Sequence, residues 1–435
     1  MLPSPSGVRV RVARFLDGDF LRHGALLFGG TAVVSLMNYG FHWYVSRHLS
    51  VPEYGAIAAL IAGLSIFSIP ATIATTFIVK LSAELRAAGD LALVGALARR
   101  ASTIAACVSI VVFGVIVVAR HPIATYLRLD DPAPVVIVGL GLVAGLILPG
   151  ARGILQGLQR FDWYVGSLAC EGITKLGVGV GLVAVGRSVG GAAVGLACAA
   201  FTTLLFTETI VRRLTPHPRA SIHIDRRRAA QSLGGVTLAY VAIGLLCYVD
   251  LVLAKHFLSP FAAGTYVAVG LAGKVFLFIG TFLPAVVLPK AALIAARGDR
   301  ATSVLARAAG ITGLMFALGL GLYMFAPRLI LHALVGSAYD GGLPYVFPYA
   351  FAMAVLAFTN LLVTYRISTH DFGFVVPLLV VALGEVAAIY IWHSSILAIV
   401  RSLVIGDLIA VCVVAVGLLP SPSPVAAPQP AAEAP

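Results

Sequence analysis

The chain has 435 residues, of which 60% are hydrophobic and 11% charged, and it carries a formal net charge of +12 at pH 7. No water-soluble domain of this size keeps so much apolar material off its surface, so the composition excludes a globular enzyme in solution and makes the bilayer the solvent. The apolar residues fall in separate runs of about 20, the length needed to cross roughly 30 Å of hydrocarbon as a helix. A membrane barrel would instead alternate polar and apolar residues in segments of about ten. The fold class expected is an all-α polytopic membrane protein.

In chain order, residues 1–23 form a basic segment with Arg9, Arg11, Arg14 and Arg22. The apolar run behind it is too long for a signal-peptide core and lacks a small-residue cleavage site, so it is read as a retained span. Six spans are predicted near 24–48, 54–79, 101–120, 133–155, 163–186 and 189–211, the N-terminal half at 24–211. A basic linker follows at 212–232. Six more spans are predicted near 233–256, 263–288, 304–326, 344–365, 374–392 and 396–418, the C-terminal half at 233–418. The stretch 419–435 is mostly Pro and Ala and is expected to be a disordered tail. Cys107, Cys170, Cys198, Cys247 and Cys412 lie inside apolar runs without paired spacing and read as packing residues.

The basic residues orient these about twelve spans. With the N-terminus inside, 21 Lys and Arg fall on inner segments and 7 on outer ones, with Lys175 and Lys274 inside spans. Both termini are therefore expected in the cytoplasm. Topology and anionic inner-leaflet lipid account for the net charge, and no nucleic-acid partner is needed.

The chain also repeats itself. Arg47-His48 at the end of the first span recurs as Lys255-His256 at the end of the seventh, an offset of 208. Ala87-Ala88-Gly89-Asp90 matches Ala296-Arg297-Gly298-Asp299, and Asp162-Trp163 matches Asp371-Phe372, both at an offset of 209. Three matches in one register divide the chain into two halves of six helices. Because six is even, both halves enter from the same side and are parallel repeats about an axis along the membrane normal. Transporters of this build place the substrate between the halves and rock one against the other.

Loops are short, the longest inner one about 20 residues, and leave no room for a catalytic domain in water. There is no GxxxxGK[ST] loop, no HExxH and no cluster of carboxylates and His arranged for chemistry, so the chain is not read as an enzyme and no cofactor is expected. Energy would come from a proton or sodium gradient, or from the downhill path of the substrate.

Several segments resemble the MOP superfamily of exporters, and within it the Wzx-type polysaccharide flippases, the polysaccharide biosynthesis membrane proteins. They are Leu49-Ser50-Val51-Pro52-Glu53-Tyr54-Gly55, Gly153-Ile154-Leu155-Gln156-Gly157-Leu158-Gln159-Arg160-Phe161, Tyr248-Val249-Asp250-Leu251 and Gly264-Thr265-Tyr266. The resemblance implies a V-shaped, MATE-like bundle in a bacterial plasma (inner) membrane. Through its cavity a polyprenyl-diphosphate-linked oligosaccharide would be inverted while the lipid tail stays in the bilayer. It also implies glycan polymerases or glycosyltransferases as partners. A polar path is required, since a diphosphate and many hydroxyls cannot cross hydrocarbon unsatisfied.

Ionisable residues inside spans are costly and are functional candidates by default. Lys175 and Lys274, one in each half, are candidates to hold a diphosphate or acidic sugar. The structural alternative for Lys175 is a pair with Glu171, one turn earlier on the same face. Asp250 and His42 occupy equivalent repeat positions and are candidates for a coupling or gating pair, or for interhelical hydrogen bonds that fix packing. Glu385 and Asp407 are candidates for a proton or sodium site, or for structural pairing. Arg152, Arg160 and Arg366 flank the inner mouth and suit a lipid diphosphate, although positive-inside topology explains them equally. Asn38 and Asn360 suit sugar hydroxyls or helix association. Because the mid-membrane acids outnumber the lysines, a weakly charged or neutral glycan is favoured over a strongly acidic one.

The leading reading is a secondary flippase for lipid-linked oligosaccharide in cell-envelope polysaccharide biosynthesis. Its rivals are a MATE-like cation-coupled exporter of small molecules, to which the intramembrane acids would belong, and a non-transporting scaffold for glycan assembly enzymes docked on the 212–232 linker.

Overall fold

A computed structural model describes residues 18–186, 188–216, 226–280, 302–369 and 371–416. Most of the basic lead, the centre of the linker and the proposed tail lie outside these residues, and so does the end of the predicted eighth span. Among the described residues every regular element is helical: α1 (Gly18–His48), α2 (Val51–Ala87), α3 (Leu91–Val118), α4 (Arg120–Tyr126), α5 (Ala133–Gly157), α6 (Phe161–Ala184) and α7 (Ser188–Leu214). There follow α8 (Arg226–Phe257), α9 (Pro260–Gly280), α10 (Thr302–Phe325), α11 (Pro327–Leu334), α12 (Leu343–Ser368), α13 (Val375–Ile391) and α14 (Ile396–Val416). A 3-10 turn at Ser337–Gly342 leads into α12.

Each of the twelve predicted spans has its helix. Among the described residues ten helices are long and apolar enough to cross a bilayer and α13 is a shorter apolar helix, while α1, at the first predicted span, is a helix of 31 residues. Several run further than predicted, because a helix that leaves the bilayer continues in water wherever the sequence favours it. α3 begins at Leu91 rather than near 101, since the Asp90 carboxylate caps the Leu93 amide at 2.9 Å and the next residues are Leu, Ala and Arg. α8 begins at Arg226 and absorbs the second part of the predicted linker for the same reason. The short helices α4 and α11 have no counterpart among the predicted elements.

The bundle has a termini end and a far end, the latter holding the turns α1–α2 and α8–α9. α5 packs against α2, α3 and α7, and α12 against α9, α10 and α14, so each half has a central helix of its own. The repeat is visible in local geometry. Ser50 caps α2 in a reciprocal box with Glu53, and Ser259 caps α9 through the Ala262 amide, with a proline in the first turn of each helix.

The halves meet through α2, which lies against α8 and α9. At the far end Gly55 of α2 touches Gly264 of α9: a Cβ on Gly55 would stand 2.9 Å from the Gly264 Cα, and one on Gly264 would run into the Val51 carbonyl. Gly55 and Gly264 are repeat mates at the 209 offset. Residues related by a two-fold axis touch each other only on that axis, so this crossing marks it. Only glycine allows the backbones so close.

Candidate functional site

The intramembrane polar residues gather into two clusters, one in each half. In the N-terminal half, Lys175 sits where α6 departs from α geometry and makes a π turn over Lys175–Val180. Such turns put an extra residue into the helix and are frequent at functional sites. Its ammonium donates to the Asn38 carboxamide of α1 and stands 5.1 Å from the Phe41 ring. Glu171 does not pair with Lys175. Instead the Arg152 guanidinium of α5 takes it at 2.7 Å and also donates to the Ser167 hydroxyl at 2.9 Å. The Thr207 hydroxyl of α7 completes this group by donating to Ser167 at 2.8 Å.

Lys175 is thus left with a neutral partner. Arg152, buried to 16% side-chain exposure, is held by a carboxylate and two oxygens of Ser167 and is satisfied where it stands. His42 lies on the same helix as Asn38 and its Nδ1 meets the Tyr54 hydroxyl of α2 at 3.3 Å.

In the C-terminal half, α9 is interrupted at Lys274, whose ψ of −6° breaks the helix between Gly273 and Val275. Both intramembrane lysines therefore occupy irregular turns. Lys274 donates to the Cys247 carbonyl at 2.6 Å and lies 3.6 Å from Asp250 Oδ1. Asp250 is fully buried, and its Oδ2 accepts from the Tyr266 hydroxyl at 3.0 Å and the Tyr349 hydroxyl at 2.6 Å.

Two further carboxylates approach this group. Glu385 of α13 packs on Gly406 of α14, where a Cβ would strike its carboxylate, and Asp407 is the next residue. Both are buried, and neither has a hydrogen-bond partner for its carboxylate among the described residues. α13 and α14 pack on each other and on α8, the helix that carries Asp250. Of the three carboxylates, Asp250 meets Lys274, and a proton or a small cation would relieve the two that are buried without a hydrogen-bond partner among the described residues.

The structure therefore joins Lys175 to Asn38, Glu171 to Arg152, and Asp250 to Lys274 with Glu385 and Asp407 nearby. It does not make partners of His42 and Asp250; each takes a tyrosine hydroxyl from the next span of its own half. Arg366 stands apart: it is 5% exposed, holds Asp371 at 2.7 Å, donates to the Val414 carbonyl at 3.1 Å and covers the Phe374 ring. That is a tie between α12, the following turn and α14, and it leaves no free face at the mouth. Arg160 pairs with Asp162 at 2.9 Å on the surface of the termini end, which pushes its pKa up from the ordinary arginine value. Asn360 is half-buried on α12.

Sequence reasoning missed Tyr266 and Tyr349, the hydroxyls that hold Asp250. Tyr266 lies in a segment that carried the family resemblance, yet a tyrosine in an apolar run gives no periodic signal of a polar role.

No family model and no curated protein sequence matches the chain. Solved structures do. An inward-facing multidrug resistance MATE family transporter of the MOP superfamily aligns with a TM-score of 0.74 at 12% identity, over 88% of this chain and 93% of that one. The lipid II flippase MurJ in an inward closed conformation aligns at 0.68 with 11% identity, over 90% and 87%. An outward-facing MATE transporter of the same superfamily aligns at 0.63 with 14% identity, over 90% and 93%. The fold is that of MOP-superfamily transporters.

Proposed function

We propose that the chain is a secondary flippase that inverts a polyprenyl-diphosphate-linked oligosaccharide across a bacterial plasma membrane by alternating access, with both termini in the cytoplasm. The observation that carries this reading is the partner of Lys175, a carboxamide rather than a carboxylate. Its expected counter-ion is taken by Arg152, so a membrane-embedded ammonium faces a neutral amide and keeps its attraction for an anion such as a diphosphate. Asn38 beside it offers an amide to hydroxyls or phosphate oxygens. A likeness in fold to a lipid II flippase supports the same class of substrate. The family identity as a Wzx-type protein and the role in envelope polysaccharide synthesis belong to this proposal.

The C-terminal cluster suits the driving ion. Asp250, Glu385 and Asp407 would take a proton or sodium, so that the anionic headgroup and the coupling cation occupy different halves. The same acids favour a second reading, a cation-coupled exporter of small organic cations, in which they would hold the substrate itself.

Proteoliposomes holding the purified chain and a fluorescent polyprenyl-diphosphate-linked oligosaccharide test the proposal. The expected result is inversion of the lipid that depends on the chain and on Lys175. No inversion, together with efflux of organic cations that depends on Asp250, would replace the flippase by the exporter. Neither activity, with loss of glycan synthesis in cells when the 212–232 linker is neutralised, would favour the scaffold.

A further inference from the structure

Each half carries, at the far end, a short helix between its third and fourth spans: α4 in the first half and α11 in the second. Their ends recur at the 208 offset, with a left-handed residue after each, Arg128 at φ 50° and Gly336 at φ 101°. The last carbonyls of a helix have no partners within it. In both short helices they are met by a basic residue from the opposite half.

Arg47, at the end of α1, donates to the carbonyls of His332, Ala333 and Leu334 at 2.6, 3.2 and 3.3 Å. Beside it the Tyr339 hydroxyl donates to the Ser46 carbonyl at 3.0 Å. His256, at the end of α8, stacks on Tyr126 and meets its carbonyl through Nδ1 at 2.8 Å, where the ring nitrogen must be the donor. Arg128 completes the second junction by donating to the Leu258 carbonyl at 2.9 Å. The repeat mate of Arg47 is Lys255, which donates to the Pro52 carbonyl of α2 at 3.4 Å, and the neighbouring residue, His256, reaches α4.

We propose that these two junctions are reversible latches that hold the two halves together at the far end, and that breaking them lets the halves part there. Three observations support this. Arg47 and His256 are partly exposed and Arg128 is exposed, so on separation water replaces their bonds and that exchange is nearly balanced, as a gate requires, while the buried Tyr339–Ser46 bond favours the joined state. In each junction an arginine from one half donates to carbonyls at a helix C-terminus of the other, Arg47 at the end of α11 and Arg128 at the end of α8, where the helix dipole adds attraction. And Arg128 adopts a left-handed conformation that its counterpart leaves to glycine; a long side chain is kept there at a cost in backbone energy, which its cross-half bond explains. The proposal does not depend on what is transported.

Spin-label distances on the full chain, with its cysteines replaced, provide the test. One label pair spans the far end at His121 and Ala338; another spans the termini end at Ala88 and Gly373. Arg47→Gln and Arg128→Gly are each expected to raise the ratio of long to short far-end distances about fivefold or more, the double variant further, with the termini-end pair moving the opposite way. Arg128→Gly removes the left-handed strain, so it is expected to fold and melt at least as well as the parent. If the far-end distances stay unchanged in Arg128→Gly and in whichever Arg47 variant folds, the junctions are static packing and the proposal is overturned. A lower melting temperature with unchanged distances overturns it as well.

Discussion

Glu171 and Lys175 lie one turn apart on α6 but do not bond each other, because Glu171 accepts from Arg152 of α5 at 2.7 Å while Lys175 turns to Asn38 of α1. A local ion pair would have cancelled both charges within one helix. Tertiary pairing instead joins Glu171 to Arg152 and leaves the lysine with an amide, so the two residues of the same apparent pair are expected to respond differently to substitution.

Lys175→Gln removes the positive charge and is expected to lower headgroup transport by about tenfold or more, the loss of one charge-assisted bond of about 1.5–3 kcal/mol, with little loss of stability. Glu171→Gln leaves Arg152 short of its carboxylate. Since the Glu171 side chain is 41% exposed, the cost is expected to be about 1 kcal/mol in stability, with transport retained. Flux in proteoliposomes and thermal unfolding in detergent separate the two.

Asp407→Asn and Glu385→Gln relieve carboxylates that lack hydrogen-bond partners, and each is expected to stabilise the fold by about 1–2 kcal/mol. The same changes are expected to abolish the dependence of transport on a proton or sodium gradient. A variant that lost stability and kept its gradient dependence would count against the cluster as a coupling site.

Arg366→Ala is expected to cost about 2–3 kcal/mol by leaving the Val414 carbonyl and Asp371 without their donor. Transport per folded molecule should be unchanged, which comparison of flux with the monodisperse fraction after purification checks.

Gly264→Ala places a methyl against the Val51 carbonyl and is expected to lower the melting temperature and force α2 and α9 apart, whereas Gly63→Ala on α2 meets nothing within 4 Å and should be neutral or slightly stabilising. Equal effects from the two would remove the close crossing as a cause.

The twelve spans were legible because bilayer solvation imposes a length and an apolar composition that no tertiary context overrides. The repeat was legible through Arg47-His48 and Lys255-His256, although the sequence did not say what these side chains meet at the ends of α1 and α8. Arg47 and His256 find their partners on α11 and α4, which are too short to carry a periodic signal. In the site, the lysines and acids announced themselves by their cost in hydrocarbon. Their partners did not: Glu171 could be matched to Lys175 by spacing along one helix, but Arg152 reaches it from another, and the tyrosines that hold Asp250 come from two further helices.

The meeting of Gly55 with Gly264 has a historical consequence. Where equivalent residues touch across a two-fold axis, the contact is isologous, and a half-length ancestor that paired with itself would have satisfied both sides with a glycine at one position. Joining two such copies in a single chain would preserve that self-complementary contact at the axis while freeing every other position to diverge, and this is where the present molecule differs between its halves. A lysine with a neutral partner stands in one and a group of carboxylates in the other, an asymmetry that no symmetric homodimer could hold.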